Sequence, residues 1–135
     1  MKELQVQATL ENYEQVSAFV EAELAQRNCP MKVQMKVGIA VEELYSNIAN
    51  YAYNPEVGPA TIQVEVTEDP LCVIITFLDQ GKPYDPLKHE DPDITLSLDE
   101  REAGGLGIFM VKQTMDDVQY RYENGKNILT IRKTW

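Results

Sequence analysis

The chain is short of cations. Its 135 residues carry twelve Lys and Arg against twenty-two Asp and Glu, a formal net charge of -10. Nucleic acids and anionic bilayers attract basic surfaces, so neither is an expected partner. No apolar run approaches the roughly 18 residues that a membrane-spanning helix needs. "MKELQVQATL" lacks the apolar segment of a signal peptide. These absences lead us to expect a cytoplasmic protein. Cysteine is scarce too. Cys29 and Cys72 could pair in principle, but small core residues in a reduced compartment are the expectation. Histidine is scarcer still, with His89 alone, and we expect it at the surface. Repeats and low-complexity linkers are missing, which leaves one domain over residues 1–135.

What is present reads as alternating blocks. "LQVQATL" alternates like a strand. Asn12 and Gln15 form a capping-box pattern ahead of a helix striped by Val16, Phe19, Val20 and Leu24, which Pro30 ends. A second helix is predicted from about Met31 to Tyr53, with Val37, Val41, Leu44 and Ile48 as its core stripe. "TIQVEVTE" alternates, Asp69-Pro70 turns, and "LCVIITFL" is apolar on both faces, as an interior strand is. A long irregular stretch, Gly81 to Gly107, precedes a third helix. The last segment folds back at Asn124-Gly125, a type I′ turn signal. This order predicts an α+β fold: a two-layer α/β sandwich with a mixed, mostly antiparallel sheet and helices on one face.

Three groups of residues look out of place in a plain sandwich. Asp79 closes the most apolar strand, and no basic residue adjoins it before Lys82. A buried carboxylate needs a partner, and that partner need not be in the chain. On the second helix, Glu43, Asn47 and Asn50 fall about 80–140° from Val37 at 100° per residue, beside the core stripe rather than opposite it. A solvated helix edge would explain one such residue more readily than three. Finally, "AGGLGIFMV" sets Gly104, Gly105 and Gly107 before an apolar helix. Such a helix entry suits phosphate, although glycine there can also be a flexible entry. It is not a P-loop, because Gly-Lys-Ser/Thr is missing.

In that order the three groups resemble the GHKL (Bergerat-fold) ATP-binding proteins, and within them the bacterial anti-sigma-factor serine/threonine kinases. "EELYSNIANYAY" resembles the family's N-box, "DQGKPYDP" its first glycine box, "GGLGIFMVKQTMDDVQY" its second and "NILTIRK" its closing strand. The resemblance covers roughly Met31 to Lys133. It implies that Asp79 accepts a hydrogen bond from the adenine amine and that Gly81 admits the base to the backbone. Asn47 would hold Mg²⁺ and Glu43 would orient and deprotonate the attacking hydroxyl. Gly104, Gly105, Leu106 and Gly107 would meet the phosphates. Asn50 and Pro83 would add nucleotide contacts, and Thr130 would join the adenine-side hydrogen bonds. Residues 82–103 would form the ATP lid. Ala103 stands where kinase-competent relatives often carry a basic residue, and Arg101 is the candidate substitute. The implied cofactors are ATP and Mg²⁺. The implied partners are a sigma factor and a small antagonist protein phosphorylated on serine, with a homodimer as the assembly. The alternative is a nucleotide-sensing interaction module without catalysis.

Overall fold

The computed structural model describes residues 1–88 and 106–135. The strands are β1 (Lys2–Gln7), β2 (Pro59–Thr67), β3 (Cys72–Asp79), β4 (Asp117–Glu123) and β5 (Lys126–Thr134). The helices are α1 (Tyr13–Gln26), α2 (Met31–Asn47) and α3 (Leu106–Thr114). Among the described residues the strands form one sheet in the order β1-β2-β3-β5-β4. Every pairing is antiparallel. The expected mixed character is therefore not seen as a parallel pairing. The reason is topological: β3 and β4 run the same way, but β5 folds back between them and pairs with both.

Alternation decides which face of the sheet is buried. Ile62 and Val64 of β2, Val73, Ile75 and Phe77 of β3, and Leu129 and Ile131 of β5 all point to the helices and are buried. Val16, Val20 and Leu24 of α1 and Val37, Val41 and Leu44 of α2 meet them from above. Fully burying one such side chain contributes about 1.5–3 kcal/mol, so this single cluster holds the layers together. Cys29 and Cys72 are buried and not joined in a disulfide, as small core residues. The helices lie on one face, as expected.

Local details differ from the sequence reading in three places. Asn12 caps nothing: its Nδ2 donates to the Gln7 carbonyl at 2.8 Å, and a 3-10 turn over Leu10–Asn12 leads into α1. The second helix keeps α geometry only to Asn47 and then widens into a π turn, Ile48–Ala52. Such widened turns recur at functional sites. Tyr45, absent from the expected stripe, is fully buried, and its hydroxyl donates to the Thr9 carbonyl at 2.6 Å. Asn124 and Gly125 both have positive φ (54° and 76°), the backbone that a type I′ turn requires.

Candidate functional site

A cavity of about 210 Å³ opens between the end of α2 and the sheet. Leu44 and Ile48 form its roof, Phe77 and Leu129 its floor. Pro83, Tyr84 and Pro86, from the stretch after β3, form a side wall, and exposed Tyr51 stands at the rim. The apolar walls and few polar groups are those of a small-molecule site. The π turn carries Ile48, Tyr51 and Ala52 against this space.

Asp79 lies at the inner end and is only 7% exposed. It is not without partners in the chain. Its Oδ1 accepts from the Gly81 backbone N–H and from Asn127 Nδ2, both at 2.9 Å. Its Oδ2 accepts no hydrogen bond from the described residues. Burial pushes the carboxyl above its ordinary range, and the Asn127 and Gly81 hydrogen bonds pull partly against that.

Asn127 is the hub of this corner. It sits opposite Asp79 in the β3–β5 ladder and is itself buried. Its Nδ2 also donates to the Lys82 carbonyl at 2.8 Å. Its Oδ1 accepts from the Tyr84 backbone N–H at 3.0 Å and from the Tyr120 hydroxyl. One amide thus ties the acid, the stretch after β3 and the edge strand together. Burial raises the Tyr120 hydroxyl above its usual range.

Gly81 has a different task from the one expected. A Cβ there would overlap the Ala52 carbonyl, so the missing side chain admits the backbone of the π turn. The Lys82 N–H donates to that same carbonyl at 3.0 Å. Gly81 is not part of the cavity wall, whereas Lys82 and Pro83 are. Tyr53 braces the other side: it takes the Gln80 N–H at 2.7 Å and donates to the Pro59 carbonyl at 2.6 Å.

A second polar group lies toward α3. Glu43, half-buried, is one turn before Asn47 on α2. A Cβ on Gly107 would overlap the Glu43 carboxyl, so the glycine lets α3 approach that acid closely. Burial, then the neighbouring Glu42, pushes the Glu43 carboxyl up. Asn47 lines the cavity. Neither Glu43 nor Asn47 makes a side-chain hydrogen bond among the described residues. Asn50 is exposed on the π turn and lines no part of the cavity.

The structure thus brings Asn47, Asp79 and Pro83 to one cavity and Glu43 and Gly107 beside it. Thr130 is elsewhere. Its neighbours Leu129 and Ile131 face the core, so period-2 alternation turns Thr130 to the opposite face. There its hydroxyl lies 3.3 Å from that of Thr76. Asn127, three residues earlier and in phase with Leu129 and Ile131, takes the place expected of Thr130. Its signal was legible: Asn127 opens the inward-facing row of β5, ahead of Leu129 and Ile131, as a polar residue at a buried position. Tyr84 and Tyr120 were missed as well, since a lone Tyr in a loop or edge strand carries no pattern. Arg101, Gly104, Gly105, Ala103 and His89, with most of the expected lid, lie outside the described residues, as does the Leu106 side chain.

Comparison with known proteins bears directly on this arrangement. The model of the histidine kinase-like ATPase domain matches residues 6–133. The chain belongs to that family. Among its relatives is a serine/threonine-protein kinase, BtrW, of Bordetella bronchiseptica, 27% identical over 100 residues, which span 74% of this chain and 70% of BtrW. The serine-protein kinase RsbW of Bacillus cereus is 32% identical over 95 residues, 67% of this chain and 58% of RsbW. RsbW of Staphylococcus epidermidis is 32% identical over 100 residues, 70% of this chain and 62% of its own. The matched stretch thus spans about three-fifths of the RsbW relatives. A crystal structure of the RsbU and RsbW domains of Rv1364c from Mycobacterium tuberculosis shares the fold, with a TM-score of 0.65 at 15% identity. That match covers 98% of this chain and 32% of the other. No helix among the described residues is long and apolar enough to cross a membrane.

Proposed function

We propose that this domain binds ATP with Mg²⁺ and transfers the terminal phosphoryl group to a serine on a small antagonist protein, so governing its hold on a sigma factor. The observation that carries the reading is the pairing of two unlike ends. An acid with one oxygen left open by the described residues closes an apolar cavity, and two polar side chains without a hydrogen bond among the described residues, Glu43 and Asn47, stand by a glycine-entered helix. The names of the BtrW and RsbW relatives support the kinase activity.

The residues fit the groups this reading requires. Phe77, Leu129 and Ile48 offer flat apolar surface to a base. Asp79 Oδ2 offers an acceptor to its amine, where guanine would present a carbonyl. Asn47 has a free amide oxygen for Mg²⁺, an ion that keeps most of its ligands as water and phosphate. No group of three or more acidic, His or Cys side chains suited to a metal is found among the described residues, and in this reading phosphate and water would complete the shell. Mg²⁺ neutralises phosphate charge when bound. Glu43 would orient the incoming serine hydroxyl and take its proton, and its raised pKa makes it a better base than an ordinary Glu. Gly107 would keep the first turn of α3 close to that acid.

The direct test is labelled ATP with the purified domain and a cognate antagonist. Transfer to serine that stops in Glu43→Gln supports the reading. Stable Mg²⁺-dependent binding without transfer supports the nucleotide sensor instead, a reading favoured by Ala103 in place of a basic residue. We also place the domain in the cytoplasm, as a homodimer, which equilibrium sedimentation would check.

A further inference from the structure

We infer that Asn127 is the residue that makes the cavity select an amino purine over an oxo purine, by dictating which oxygen of Asp79 faces the ligand. This rests on the nucleotide reading above and adds to it a positioning residue and a rule of selectivity. The amide of Asn127 has a single allowed orientation. Its Nδ2 lies 2.8 Å from the Lys82 carbonyl, which can only accept, and its Oδ1 lies 3.0 Å from the Tyr84 N–H, which can only donate. A flipped amide would break both. The Tyr120 hydroxyl, which can donate or accept, follows that choice, donates to Oδ1 and packs the amide in place. Nδ2 is therefore fixed toward Asp79 Oδ1, 2.9 Å away.

That geometry settles the carboxylate in turn. Oδ1 faces two groups that can only donate, Asn127 Nδ2 and the Gly81 N–H. It cannot carry a proton, and it has no free side for a ligand amine. Oδ2 is left as the one acceptor that Asp79 can turn to the cavity. An exocyclic amine matches it; an exocyclic carbonyl meets it lone pair to lone pair. The selectivity is thus set by Asn127, which never needs to touch the base.

The same constraint yields a result that a merely structural Asn127 would not. In Asp79→Asn the two fixed donors require the new amide to place its oxygen at the Oδ1 position. Its NH₂ must then face the cavity, a donor where there was an acceptor. The experiment is calorimetric titration of the folded domain with the Mg²⁺ complexes of ATP and inosine triphosphate, which differ at purine C6 by amine against carbonyl. Wild type is expected to favour ATP at least tenfold. Asp79→Asn is expected to invert the preference. Asn127→Ala frees the carboxylate to rotate and is expected to bring the ratio within about threefold of unity, and Tyr120→Phe to lower it by a smaller factor without disturbing the fold. Should Asn127→Ala fail to fold, Asp79→Asn and Tyr120→Phe carry the test. An Asp79→Asn protein that still favours ATP, or an Asn127→Ala protein with the wild-type ratio, overturns the inference while leaving ATP binding intact. A wild-type domain that binds neither nucleotide overturns the functional reading itself.

Discussion

The two ends of the site are built on opposite plans. At the Asp79 end nearly every polar atom is already paired: Asn127 uses both its donors and its acceptor, and Tyr53 is bonded on both sides. At the Glu43 end the side chains of Glu43 and Asn47 make no hydrogen bond among the described residues, and a glycine stands where a side chain would crowd Glu43. The first end is preorganised, so its selectivity is present before any ligand arrives. The second holds half-buried polar groups beside the core, open to solvent or to a ligand. In the proposed function, recognition falls to the first end and chemistry to the second.

Separating the two ends by mutation is the way to break this contrast. The largest effect is expected from Glu43→Gln: phosphoryl transfer should fall by about 10²-fold or more, the usual contribution of a positioned base. ATP affinity should stay within a few fold, as single-turnover kinetics and titration would check. The converse is Asp79→Ala, which should weaken ATP binding by roughly 10–100-fold, the range of a hydrogen bond to a charged group. Turnover at saturating ATP should suffer much less. Gly107→Ala lies between them. The added methyl must displace the Glu43 carboxyl, so transfer should drop together with about 1–3 kcal/mol of stability, the usual cost of overpacking. Smallest is Tyr45→Phe, remote from both ends. It loses the hydroxyl bond to Thr9 and should cost about 1 kcal/mol in denaturant melts, with ATP affinity unchanged.

The pH dependence sharpens the contrast further. The Asp79 pKa is raised in the folded state, chiefly by burial. The neutral acid therefore favours the fold. That contribution is fully present below the ordinary value of 3.8 and is lost as pH rises through the raised folded value. Binding an amine needs the ionised form, so ATP affinity should run the other way and weaken as pH falls through the same window. Melting and titration across that window, with Asp79→Asn as the control for other groups, would show opposed slopes in wild type only.

The sequence carried the layers and much of the site because both obey periodicity. The apolar stripes of α1 and α2 and the alternation of β2 and β3 were read directly, and so was the Asn124-Gly125 turn. Glu43 and Asn47 stood out as polar residues one turn apart beside a buried stripe, and Asp79 as an acid closing an apolar strand. What escaped depended on tertiary register. Thr130 and Asn127 are three residues apart on one strand, and only the phase of the alternation tells which faces the cavity. Gly81 was read as room for a ligand, whereas it makes room for Ala52, a contact made across nearly thirty residues of chain. The placing of β5 between β3 and β4 is likewise a matter of tertiary pairing that no local pattern announces.

The central claim is that a prebuilt, amine-reading acid at one end defines what the other end acts upon. Titration of the wild-type domain with Mg²⁺-ATP and Mg²⁺-inosine triphosphate tests it most directly. Saturable binding of ATP, at least about tenfold tighter than the inosine nucleotide as expected for one well-made polar contact, is the outcome that follows from Asp79 and Asn127 as they stand. Equal affinity for the two nucleotides, or binding of neither, would contradict it.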